Sequence, residues 1–75
     1  MGESGSSLSR REREVATLIT EGLTNAEIAH RLVVTPGTVN NHIAHIMRKI
    51  GARNRVQIAV WFLRREFLET RKHET

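Results

Sequence analysis

The chain has 75 residues and a formal charge of +4. That length allows one small domain with a modest core. It contains no cysteine, which excludes disulfides and thiolate metal sites and fits a reducing, cytoplasmic setting, and no apolar run approaches the roughly 20 residues of a membrane span. The charge is uneven. Residues 1–35 hold four basic and five acidic side chains, whereas residues 36–75 hold eight basic and three acidic. A basic second half favours a polyanionic partner.

Met1 to Ser7 is rich in Gly and Ser and reads as a leader or linker. Ser9 followed by Glu12 is a capping box that opens a first helix. Leu8, Val15, Leu18 and Ile19 form its buried face, and Gly22 closes it. Glu12 lies at the edge of that face and requires a cationic partner. Thr24 with Glu27 is a second capping box, followed by Ile28, Ala29 and Leu32 on one side of a short helix. The β-branched Val33 and Val34 mark a break. Thr35 caps a third helix with Pro36 at its first position. Val39, Ile43, Ile46 and Ile50 make its buried stripe, and Gly51 ends it in a left-handed conformation. Asn54 with Gln57 caps a last helix expected to run to about Leu68. The charged segment Glu69–Thr75 is expected to fray. No alternating strand pattern occurs. The expectation is an all-α, four-helix bundle-like domain over residues 8–68 containing a helix-turn-helix, between a leader (1–7) and a charged tail (69–75).

The third helix, about 36–50, carries the functional signal. At about 100° per residue, Gly37, Asn41, Ala44, His45 and Arg48 lie opposite the buried stripe, flanked by Thr38 and Asn40. No Asp or Glu occurs from Ile28 to Arg65, a span that holds Arg31, Arg48, Lys49, Arg53, Arg55, Arg64 and Arg65. A helix-turn-helix with a carboxylate-free second helix suits entry into the DNA major groove. Asn40, Asn41, Ala44 and His45 are the candidate base contacts. Asn40 and Asn41 can pair with adenine N6 and N7 or touch the backbone. Arg48 and Lys49 can hold phosphates or stabilise the helix C-terminus. Arg55 opens the fourth helix, a poor place for a cation, which points to a phosphate or to a buried partner such as Glu12.

Other chemistry finds little support. His30, His42 and His45 have no carboxylate or thiol nearby to complete a metal site. No cofactor motif and no reactive constellation occur, so the chain does not read as an enzyme. The fourth helix is apolar on two sides. Val56, Ala59, Val60, Leu63 and Phe67 share one face, expected to close the domain's core. Ile58, Trp61 and Phe62, with Arg65, share the other. That second face either laps Trp61 and Phe62 over the first helix within the domain or, as the favoured expectation, pairs two copies about a two-fold axis, placing two reading helices on inverted repeats about 10 bp apart. The alternative is an interaction module that docks RNA polymerase or another regulator through the fourth helix.

The chain resembles the C-terminal DNA-binding domain of LuxR-type (NarL/FixJ-type) bacterial transcription regulators. Leu8, Ser9, Arg11, Glu12, Glu14 and Val15 carry the resemblance, with Gly22, Thr24, Asn25, Glu27, Ile28, Ala29 and Leu32. Thr35, Thr38, Val39, His42, Ile46, Lys49, Ile50 and Gly51 continue it, followed by Arg55, Ala59 and Val60. The resemblance implies a four-helix domain that binds double-stranded promoter DNA, usually as a dimer, at the end of a longer regulator. It implies a phosphate contact for Thr38 near the helix start; Thr24, Thr35, Arg48, Lys49 and Arg55 complete the candidate phosphate set. The stretch TPGTVNNHIAHIMRKIG followed by RVQIAVW is most similar to the version found in large multidomain regulators. Two positions depart from the pattern: Asn40 stands where many members carry Lys or Arg, and Ala44 where some carry a basic base-contacting residue.

Overall fold

The computed structural model describes residues 8–74, and side chains from 8 to 66. The expected leader 1–7 and the side chains of Phe67 and Leu68 lie outside the described residues. Ser9 opens α1 (Arg10–Thr20) with the full capping box: its hydroxyl accepts from the Glu12 N–H, and its own N–H reaches the Glu12 carboxylate. Thr24 and Glu27 repeat the device at α2 (Asn25–Leu32). Thr35 caps α3 (Pro36–Ile50), with proline in the first turn. The fourth helix, α4, spans Arg55–Glu74. Among the described residues there is no strand, so the chain is all-α with α2 and α3 as its helix-turn-helix.

The first three helices end alike. Gly22, Val33 and Gly51 take positive φ, and the next residue's N–H returns to a carbonyl five positions back: Leu23 to Leu18, Val34 to Ala29, Ala52 to Met47. Leu23, Val34 and Ala52 then pack on the core, the apolar contact that accompanies this wrap. Glycine enters the left-handed region freely at two of these ends. At the third, a β-branched residue is held at φ 60° with its side chain 89% exposed.

The core gathers Val15, Ala16, Leu18 and Ile19 of α1, Ile28 and Ala29 of α2, Val39, Ile43 and Ile46 of α3, and Ile58 and Phe62 of α4. Two expectations are corrected here, both on α4. The helix does not stop near Leu68 but continues to Glu74, because no Pro or Gly follows Asn54 and Glu, Arg and Lys are good helix formers. Its inward side is also the opposite of the expected one. Ile58 and Phe62 are buried in the domain's own core, while Val56, Val60 and Leu63 are exposed at 69%, 49% and 52%. Arg55 supplies the reason. It lies between Ile58 and Ala59 around the helix and bonds to the Leu23 carbonyl and to Asn25, which turns that side towards the bundle. Trp61 is half-buried against the core, with the Arg65 guanidinium 5.0 Å from its ring centre.

Candidate nucleic-acid interface

The rotation of α3 is set by its buried stripe, and the stripe decides which side chains face outward. Burial of Val39, Ile43 and Ile46 leaves Gly37, Asn40, Asn41, His45, Arg48 and Lys49 exposed, with Thr38 and Ala44 half-buried. All four expected base contacts therefore lie on α3, and Asn40, Asn41 and His45 are open to solvent. Asn41 and Arg48 make no polar contact among the described residues. Asn40 does: its Oδ1 accepts from Asn25 Nδ2 at 2.6 Å, which fastens the reading helix to α2.

The two hydroxyl caps mark the exposed starts of α2 and α3. Thr24 accepts from the Glu27 N–H at 3.2 Å. Thr35 accepts from the Thr38 N–H at 3.1 Å, and the two hydroxyls lie 3.0 Å apart. Helix N-termini favour anions through their free N–H groups and dipole, and Thr24, Thr35 and Thr38 lie at two such termini.

The cations divide into free and engaged. Lys49 donates to Glu12 Oε1 at 2.8 Å, and His45 Nδ1 lies 3.9 Å from Glu12 Oε2. Glu12, 5% exposed, thus finds the cationic partner its position requires, and that partner is Lys49 rather than Arg55. Burial pushes the Glu12 carboxyl up. The hydrogen bond from Lys49, that from the Ser9 N–H and the Lys49 charge together outweigh burial and hold it below its ordinary value. Arg55 donates instead to the Leu23 carbonyl and to Asn25 Oδ1. Its guanidinium pins the α1–α2 turn to the start of α4 and is not offered to solvent in the way Arg48 is. His30, His42 and His45 do not converge, and no group of three metal-ligating side chains forms among the described residues.

Sequence reasoning gave Asn25 no separate role, although it joins three helices. The only trace in the chain was the odd placement of Arg55 at a helix start, which marked an unidentified partner without naming it. Among the described residues no helix is long and apolar enough to cross a membrane.

The sequence that builds this geometry has relatives among known proteins. The family model described as bacterial regulatory proteins, luxR family, matches residues 6–62. HTH-type transcriptional regulators of Mycobacterium bovis and Mycobacterium tuberculosis are 48% identical over 52 residues, 69% of this chain and 6% of theirs. The nitrate/nitrite response regulator NarL of Escherichia coli is 44% identical over 54 residues, 72% of this chain and 25% of NarL. The oxygen regulatory protein NreC of Staphylococcus aureus is 40% identical over 62 residues, 83% of this chain and 29% of NreC. The chain thus spans a quarter or so of NarL and NreC and a far smaller part of the mycobacterial proteins. With the matched segment running from α1 into α4 and enclosing the helix pair, the chain belongs to the luxR family of bacterial regulatory proteins, and α2–α3 is its DNA-binding helix-turn-helix.

Proposed function

We propose that this domain reads double-stranded promoter DNA in the cytoplasm as the output unit of a longer transcription regulator, with α3 in the major groove. The observation that carries this reading is the outward side of α3, where Asn41 and Arg48 stand exposed and unpaired among the described residues on a surface without carboxylates. Asn40, Asn41, Ala44 and His45 face base edges. Thr24, Thr35, Thr38 and Arg48 hold phosphates on either side of the groove. Lys49 and Arg55 support the site from within the domain, through Glu12 and through Leu23 and Asn25. No cofactor enters the scheme.

A dimer on inverted repeats fits α4, through the side opposite to Ile58 and Phe62. Val56, Val60 and Leu63 form an exposed apolar row along the helix, and exposed apolar rows of this kind mark contact surfaces. Paired about a two-fold axis, they would set two reading helices about one DNA turn, roughly 10 bp, apart. RNA polymerase is the other partner this surface could meet.

Duplex binding measured by fluorescence anisotropy over a salt series tests the reading. The expected result is affinity that falls steeply with salt through counterion release. Binding too weak to measure even at low salt, or affinity indifferent to salt, would overturn it.

A further inference from the structure

A chain of hydrogen bonds runs from α4 through α2 to the reading helix. Arg55 donates to the Leu23 carbonyl and to Asn25 Oδ1; Asn25 Nδ2 donates to Asn40 Oδ1 at 2.6 Å. Each asparagine amide has an accepting end and a donating end, and a guanidinium has donors only. Arg55 can therefore face only the Asn25 oxygen. That choice turns the Asn25 NH2 towards Asn40, which can receive it only with its own oxygen. The orientation of Asn40 on α3 is thus dictated by an arginine on α4. What Asn40 retains is its NH2 group, whose protons have no partner among the described residues on an exposed side chain.

We infer that Asn40 is a specificity-determining residue that offers DNA a hydrogen-bond donor, and that the Arg55–Asn25 pair sets this polarity. The inference rests on the DNA-binding reading of α3. In the major groove, guanine and thymine present keto oxygens O6 and O4, where adenine and cytosine present the amino groups N6 and N4. A donor at Asn40 that meets the exocyclic position of a base selects a keto oxygen there and disfavours an amino group, whereas purine N7 would accept from it in adenine and guanine alike. Asn41 has no partner fixing its amide among the described residues, so both of its ends stay available for adenine. Replacing Asn25 with aspartate should reverse the choice at Asn40. Aspartate accepts from Arg55 and can only accept from Asn40, so the Asn40 amide must turn and present its oxygen outward.

The test is competition binding on duplexes derived from selected sites, each half-site position varied in turn, for the wild type, Asn40→Ala and Asn25→Asp, with circular dichroism to verify folding. The wild type should prefer G or T over A or C on the order of tenfold at one position. Asn40→Ala should flatten that position alone, and Asn25→Asp should move its preference to A or C. Because ratios are compared, a uniform loss of affinity from the added carboxylate does not affect the reading. Unchanged base preferences in Asn40→Ala, or a keto preference retained in folded Asn25→Asp, would overturn the inference. Side-chain amide NMR of the unaltered protein supplies a check independent of any variant: the Asn25 amide protons should exchange with water more slowly than those of Asn40, and the reverse order would refute the relay. A wild type without duplex affinity would remove the DNA-binding reading itself. Affinity with no Asn40-dependent position removes only this inference.

Discussion

Lys49 Nζ donates to Glu12 Oε1 at 2.8 Å and joins the end of the reading helix to the start of α1. Glu12 is 5% exposed while the lysine side chain is 37% exposed, so removing the lysine strands a carboxylate that water reaches poorly. Lys49→Met should lower stability by about 1–3 kcal/mol, the smaller end reflecting the surface side of the pair. The double variant Glu12→Gln with Lys49→Met should recover part of that loss. Urea denaturation measures both, and a Lys49→Met protein as stable as the wild type would show that the pair contributes nothing.

The same pair predicts an acid dependence. The Glu12 carboxyl is held below its ordinary value of 4.5 in the folded chain, so in the interval below that value the unfolded chain binds more protons. The stabilisation is present above about pH 4.5 and is lost as pH falls through the lower folded value. The stability of Glu12→Gln should lack this component, so its curve and the wild-type curve should converge in acid. Parallel curves from pH 6 to pH 3 would contradict the assignment.

Val33 sits at φ 60° with its side chain in solvent. A β-branched residue is strained there, and its exposed side chain gives little back. Asparagine tolerates the left-handed region, so Val33→Asn should stabilise the domain by roughly 0.5–1 kcal/mol. Thermal denaturation should show a melting temperature several degrees higher. A lower one would mean that Val33 makes a compensating contact.

The two sides of α4 should respond differently to charge. Ile58 is fully buried, so Ile58→Asp should abolish the folded state, as read by circular dichroism. Val60 is half-exposed, so Val60→Glu should leave the monomer folded. If α4 pairs two copies on DNA, Val60→Glu should also lose cooperative occupancy of a two-half-site duplex while keeping single half-site binding. Full cooperativity in that variant would assign the exposed row to some other partner.

On α3, Asn41→Ala should cost roughly 1–3 kcal/mol on a preferred site and relax one position of it. Arg48→Ala should weaken all sequences about equally and reduce the salt slope by about one. An unaltered ratio of specific to random binding in Asn41→Ala would move that residue from the bases to the backbone.

Much of this architecture was legible in the chain because it is local. Ser9 with Glu12, Thr24 with Glu27, Thr35 with Pro36, and Gly51 each act within one helical turn, so spacing alone places them. The rotation of α3 was legible because only one of its sides is apolar. The rotation of α4 was not, because both sides are apolar and the periodicity does not choose between Ile58 with Phe62 and Val56 with Val60. The choice lies with Arg55 and its bonds to Leu23 and Asn25, partners 32 and 30 residues away. Glu12 likewise announced its need for a cation, but a sequence cannot rank Lys49 against Arg55 when the answer depends on how α1 crosses α3.

α1 packs chiefly against α4, the first helix against the last. Val15, Ala16 and Ile19 share their core with Ile58 and Phe62. During synthesis, α1 therefore waits for its main packing partner until the last helix has emerged, and the reading helix meets α1 and α2 before α4 closes the core. The helix-turn-helix segment can form transient turns at that stage, yet it has no closed interior to hold α3 in place. A chain interrupted just after Gly51 would carry every proposed reading residue of α3 without Ile58 and Phe62, which complete the core, and should fail to hold those residues on a folded surface.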